Sequence, residues 1–145
     1  MAIQLKLHHY IQLMRKTITT TVKDTEYLAN AIAKTITGGE VFALIGPLGS
    51  GKTTFTKHLA KALGYKGRVS SPTFVLLQTY PCKNPINNQK LFIHHLDLYR
   101  VEDASEAVQS GITEQWGLPQ SVTVVEWADK APSLIPKNAI TIYFK

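Results

Sequence analysis

Lys52 and Thr53 close a glycine-spaced stretch, Gly46-Pro47-Leu48-Gly49-Ser50-Gly51-Lys52-Thr53-Thr54, of the form G-x-x-x-x-G-K-[ST]. Residues of these types at this spacing hold phosphate groups. The glycines at 46, 49 and 51 let the backbone curl until N–H groups between Gly46 and Thr54, those of Leu48 and Ser50 included, surround an anion. The helix N-terminus that follows adds partial positive charge. Lys52 would reach the β- and γ-phosphates of a nucleoside triphosphate, and the Thr53 hydroxyl would ligate Mg²⁺. The alternative is a glycine-rich turn of no special purpose. Against it stand the apolar run Val41–Ile45 just before the loop and the helical pattern Phe55–Leu63, closed by Gly64, just after it.

Such a site needs an acid at a neighbouring strand end, to hold the metal's shell or to orient the attacking water. Asp97 follows the apolar run Leu91–Leu96, and Glu126 follows Val122–Val125. Both are expected at the site, one on the metal and the other on water or metal; the sequence does not divide the roles between them. Ser70-Ser71-Pro72-Thr73 lies between the loop's helix and the next strand. Many phosphate-loop proteins carry a switch segment there, whose threonine senses Mg²⁺ and the γ-phosphate. Thr73 is the candidate, with Ser70 and Ser71 in reserve. His94 and His95 are adjacent in a strand and point to opposite faces, so they make a poor chelating pair. No zinc site is expected.

The elements that position these groups are legible as patterns. Thr17–Val22 is β-branched and reads as an edge strand; Asp24 is placed to cap a helix whose apolar stripe is Leu28, Ile32 and Ile36, ended by Gly38-Gly39. Thr73–Tyr80 reads as a strand, Pro81–Gln89 as a loop carrying Cys82, and Glu102–Gln109 as a short acidic helix. Ala139–Phe144 reads as a last strand. Strands apolar on both faces and separated by helices predict an α/β fold with a mainly parallel central sheet flanked by helices, antiparallel strands being left for the edges. Ligands of such sheets bind beyond the carboxyl ends of the strands. The loop from Gly46, Asp97 and Glu126 all occupy such ends.

A chain of 145 residues makes one domain, with 44% hydrophobic residues enough for a core. Residues 1–16 read as an N-terminal extension, a short helix or a loose leader, and 17–145 as the domain. No apolar run approaches the roughly 20 residues that span a bilayer, and the leader lacks the apolar stretch of a secretory signal. One cysteine rules out an internal disulfide framework, so a reducing, cytoplasmic setting is expected. The net charge of +6 suits an acidic partner such as RNA, but the basic residues are scattered. Lys57, Lys61 and Lys66 read as the wet face of a helix.

Four motifs in order, Gly46–Thr54, Ser71-Pro72-Thr73-Phe74, the H-x-D-L-Y-R run His95–Arg100, and Val125-Glu126-Trp127, resemble those of the TsaE family, also called YjeE. The resemblance runs from about Thr17 to the C-terminus. It implies a cytoplasmic ATPase that binds ATP and Mg²⁺ and acts with the TsaB and TsaD proteins in installing threonylcarbamoyl on adenosine 37 of tRNA (t6A). Hydrolysis there is expected to reset the TsaD–TsaB complex between turnovers, with tRNA reached through that complex. In family terms Lys52 and Thr53 hold phosphate and metal, Thr73 belongs to the switch-like segment, Asp97 lies at the metal, Glu126 is the Walker B-type acid, Trp127 adjoins the site, and Thr25 matches a threonine near the nucleotide base. The sequence departs from the family at Pro47, where an acid is usual, in residues 1–16, which precede the usual start, and at Lys145, where relatives continue into another strand.

Other functions are poorly supported. A small-molecule kinase on this scaffold closes an arginine-rich lid over the transferred phosphate, whereas this chain has Arg15, Arg68 and Arg100 alone. A GTPase would carry N-K-x-D and D-x-x-G, and neither occurs. A nucleotide-dependent binding module with negligible turnover differs from the ATPase reading in degree. The scarcity of arginines fits an ATPase that is slow alone and completed by a partner.

Overall fold

Val41–Ile45 (β2) is the strand that ends in the phosphate loop, and it lies inside the sheet because both its faces are apolar. The computed structural model describes residues 18–19, 21–73 and 76–145. The expected N-terminal extension, 1–16, lies outside them. Around β2 are Ile18–Thr19 (β1), Leu77–Lys83 (β3), Lys90–Asp97 (β4), Ser121–Glu126 (β5) and Ile140–Phe144 (β6), in the spatial order β1-β6-β2-β5-β4-β3. Every pairing is parallel except β3 with β4. The fold is therefore the expected mainly parallel phosphate-loop α/β sheet, with antiparallel pairing confined to the β3 edge; the opposite edge strand, β1, runs parallel to β6.

Helices α1 (Val22–Ala33) and α2 (Lys52–Ala62) cover one face, burying Leu28, Ile32, Phe55 and Leu59 against Phe42, Leu44 and Val124. The short helix α3 (Ala104–Gln109) and a series of 3-10 turns cover the other, over Val41, Ala43, Leu96 and Val125. The alternation along each strand assigns its residues to the two cores, and it puts His95, Asp97 and Glu126 on the α1/α2 face with Leu44.

Three local expectations are corrected. The first helix is capped by Thr21 and not by Asp24: the Asp24 N–H donates to the Thr21 hydroxyl oxygen (3.1 Å) and the Thr21 N–H to the Asp24 carboxylate (3.0 Å). This reciprocal capping box begins the helix at Val22, inside what the β-branched run suggested was strand. It ends at Ala33, ahead of Gly38-Gly39. Pro81 and Cys82 belong to β3 and not to a loop. An edge strand accommodates proline, because the missing N–H would face solvent. Cys82 is buried there, and burial pushes its thiol up to about 12, which leaves it inert as a nucleophile.

Gly46 is where the sheet and the loop meet most closely. A Cβ at this position would stand 2.7 Å from the carbonyl oxygen of Phe144 and 2.8 Å from the Ser50 hydroxyl. Phe144 belongs to the neighbouring strand and also packs edge-on against Phe55 of α2, so neither side yields easily. Gly46→Ala should lose about 1–3 kcal/mol of stability through overpacking, read as a lower urea midpoint. An unchanged midpoint would show that the loop is looser than this packing implies.

Candidate functional site

The loop that leaves β2 turns back at Gly51, whose φ of 104° is left-handed, and α2 starts at once with Lys52. Glycine takes that conformation without the steric cost other residues meet. The turn aims the N-terminal N–H groups of α2 at the space beyond the strand ends. A cavity of about 330 Å³ opens there, between the loop, the Ser71–Thr73 turn, Asp97, Glu126 and Trp127. Leu48, Gly49, Ser50, Gly51, Lys52, Thr53 and Thr54 all line it; Gly46 lies below, touching it through its carbonyl bond to Lys52.

Lys52 is almost fully buried. Its ammonium donates to the carbonyls of Gly46 (2.6 Å) and Pro47 (2.8 Å) and stands 4.0 Å from the centre of the Trp127 ring. Burial pushes its pKa below the usual lysine value, and the carboxylates of Glu126, Asp97 and Asp129 act in the opposite sense. An ammonium carries three donors. Two are held by the loop, which fixes the third.

The carboxylates are placed by register. In the parallel ladder Leu44 pairs with Glu126, and Glu126 with Asp97, so the two acids lie side by side at the carboxyl ends of β5 and β4. Glu126 accepts the Thr53 hydroxyl on both oxygens, at 2.8 and 3.0 Å, and accepts His95 Nε2 on Oε1 at 2.7 Å. Asp97 has different partners. Its Oδ2 accepts the hydroxyls of Ser71 and Thr73, the latter at 2.9 Å, and its Oδ1 accepts the Tyr99 N–H at 2.9 Å. One acid is thus tied to the loop's threonine and the other to the turn before β3.

Trp127 follows Glu126 in left-handed backbone, φ 55°, which is uncommon for a large side chain. That conformation turns its ring over Lys52 and against Tyr99, with ring centres 4.9 Å apart. Lys130 covers the outer side of Tyr99 at 5.3 Å. Two aromatic rings sandwiched between two cations form the wall of the cavity.

The residues present fit a nucleotide and its metal. The Ser50 hydroxyl, in the loop itself, is buried and lacks a hydrogen-bond partner among the described residues, and such a group calls for a ligand or water. The donors facing the cavity (hydroxyl and carboxylate oxygens) are hard ones that suit Mg²⁺. Among the described residues no three histidine, cysteine or acidic side chains gather around one point.

Of the residues singled out from sequence, Thr25 stands apart. It is buried on α1 behind the loop, 3.8 Å from where a Cβ on Gly51 would lie, and its hydroxyl donates to the Thr21 carbonyl (3.2 Å). It does not line the cavity. Ser71, held only in reserve, shares Asp97 with Thr73. His95 received no role of its own, and its bond to Glu126 spans 31 positions of sequence, beyond the reach of any local pattern. The alternation of β4 was the available signal, because it sets His95 on the same face as Asp97.

A family profile described as "Threonylcarbamoyl adenosine biosynthesis protein TsaE" matches residues 19–145, which include every group described above. The chain belongs to the TsaE family. It is 37% identical over 123 residues to the tRNA threonylcarbamoyladenosine biosynthesis protein TsaE of Bacillus subtilis, covering 85% of this chain and 72% of that one. To the Aquifex aeolicus protein of the same name it is 40% identical over 124 residues, covering 83% and 81%. The crystal structure of YdiB from Bacillus subtilis superposes with a TM-score of 0.63 at 30% identity, covering 86% of this chain and 72% of that one. No helix among the described residues is long and apolar enough to cross a membrane.

Within this TsaE chain, removing either hydroxyl from Asp97 deprives a buried carboxylate of a donor. Ser71→Ala and Thr73→Val should each cost about 1.5–3 kcal/mol, measured by urea unfolding without nucleotide. If neither midpoint moves, the turn does not hold Asp97.

Proposed function

We propose that this protein binds Mg·ATP in the cavity above β2 and hydrolyses it slowly on its own. The hydrolysis serves t6A modification of tRNA adenosine 37, in the cytoplasm, with the TsaB and TsaD proteins as partners. Turnover resets their complex, and tRNA is met through it. The observation that carries the ATPase reading is the division of the two acids, Glu126 on Thr53 and Asp97 on the Ser71–Thr73 turn. The pathway and partners rest on membership of the family.

In this reading the loop N–H groups and Lys52 hold the β- and γ-phosphates, and Lys52 comes to them already oriented by two loop carbonyls. Thr53, with Glu126 behind it, holds the metal side. A magnesium ion held there would neutralise the charge that develops on the phosphates. Asp97 holds the opposite side with Thr73, where it orients a water and takes its proton. The water oxygen bonds to the γ-phosphorus as the bond from that phosphorus to the bridging oxygen breaks. ADP leaves with the electron pair. Trp127 and Tyr99 line one side of this centre. Thr25 supports the loop from behind.

Steady-state ATPase assays and Mg·ATP binding test the assignment. Lys52→Ala should abolish measurable binding and turnover. Asp97→Asn should leave nucleotide affinity nearly intact and lower kcat by about 100-fold or more, as expected for loss of a general base. Glu126→Gln should instead raise the Mg²⁺ concentration needed. Equal behaviour of the two acid variants would contradict the division of roles, and unchanged hydrolysis by Lys52→Ala would remove the ATPase reading altogether. Addition of TsaB and TsaD should stimulate phosphate release; no stimulation would detach the protein from that assembly.

A further inference from the structure

We infer that His95 is a positioning residue for Glu126, held from behind by Tyr80, and that the pair sets the carboxylate's geometry toward Thr53 and the metal side. The inference deepens the nucleotide-site reading and rests on it. His95 is fully buried, near the carboxyl end of β4, between β5 and the edge strand β3. Its register partner is Val124, two residues before Glu126 on β5, so the imidazole reaches diagonally to the Glu126 side chain on the same face. Nε2 donates to Oε1 at 2.7 Å, and that same oxygen accepts the Thr53 hydroxyl. Oε2 has the Thr53 hydroxyl, at 3.0 Å, as its partner. Oε1 is anchored toward the sheet, while Oε2 keeps capacity for further contacts. A carboxylate fixed on one oxygen and available on the other has one orientation to offer.

The imidazole is itself fixed. Its Nδ1 lies 3.1 Å from the Tyr80 hydroxyl, whose one O–H also has the Gln78 side-chain carbonyl oxygen (2.7 Å) and the Ser70 carbonyl (3.3 Å) within reach. Burial pushes the Tyr80 hydroxyl up to about 12, so it stays a neutral phenol. The Tyr80 ring packs on Tyr65 at 5.0 Å and on the His95 ring at 5.8 Å. Ser70 begins the turn whose Ser71 and Thr73 hold Asp97, so both acids are tied to that segment, Asp97 directly and Glu126 through Tyr80 and His95.

Stability alone does not account for this arrangement. Replacing both members of a buried polar pair by apolar side chains of the same volume is often neutral, so packing alone does not call for a histidine at 95. What leucine would not supply is a donor aimed at Glu126. Groups that orient a metal's protein partners in this way are worth about 10- to 100-fold in metal affinity or activity.

The test compares His95→Leu, His95→Gln and Tyr80→Phe in the full chain. Glutamine places an amide N–H close to the position of Nε2; leucine does not. Binding of a fluorescent, non-hydrolysable ATP analogue is followed as Mg²⁺ is titrated, and ATP turnover is measured beside it. His95→Leu should raise the Mg²⁺ concentration for half-maximal analogue binding and lower kcat, each by about 10- to 100-fold, while affinity for the Mg²⁺-free analogue moves by less than about threefold. His95→Gln should restore most of the loss, and Tyr80→Phe should fall between. Equal loss in the leucine and glutamine variants, or an unchanged Mg²⁺ dependence in His95→Leu, overturns the inference. Should His95→Leu fail to fold, the comparison of His95→Gln and Tyr80→Phe with the parent decides: parental values in Tyr80→Phe overturn the support from Tyr80, and a full leucine-like defect in His95→Gln overturns the donor role. A parental protein that binds no analogue at any Mg²⁺ concentration overturns the nucleotide reading, and this inference with it. An active parent with an unaffected His95→Leu overturns this inference alone.

Discussion

Leu44, Glu126 and Asp97 lie in one row across three parallel strands, and that register is the constraint on which the rest of the site depends. Parallel strands deliver their carboxyl ends to the same edge, so the phosphate loop leaves β2 where the two acids end β5 and β4. A shift of one residue in β5 would turn Glu126 into the opposite core and put Val125 under the cavity. Such a shift is opposed by the cost of burying the Glu126 carboxylate in the apolar core of Val41, Leu96 and Val125.

Concentrating charge at a dry edge has a cost that the local bonding offsets. Lys52, Asp97 and Glu126 are all nearly inaccessible to solvent, and isolated charges in such surroundings would neutralise or unfold the edge. Each is instead saturated in a specific direction. The lysine is held by loop carbonyls and an indole face, Asp97 by hydroxyls of a turn and a backbone N–H, and Glu126 by a threonine and a histidine. Electrostatic preorganisation of this kind is where phosphoryl-transfer sites obtain most of their effect. The carboxylates have different partners, and the two roles proposed for them rest on this asymmetry.

Much of this is legible in the sequence. The strand, loop and helix around Gly46–Thr54 are encoded within a few residues of one another, and a run of β-branched residues ending in an acid announces both Glu126 and its strand. Legibility failed where the deciding contact was distant or the local signal was ambiguous. Pro81 reads as a loop residue until β3 is known to be an edge. Asp24 reads as the cap from sequence, and only the reciprocal bonds show that Thr21 is the N-cap and Asp24 the third helical residue. The tasks of His95 and Ser71 depend on strands and turns that meet across the sheet, which no spacing rule reports.

The central claim is that Thr53, backed by Glu126, makes a metal site only together with the phosphates of a nucleotide. Electron paramagnetic resonance of Mn²⁺, substituted for Mg²⁺ and titrated with and without a non-hydrolysable ATP analogue, addresses it most directly. Tight Mn²⁺ binding that appears only when the analogue is present is the predicted result. Mn²⁺ held equally well without nucleotide, or not held even with it, would contradict the account.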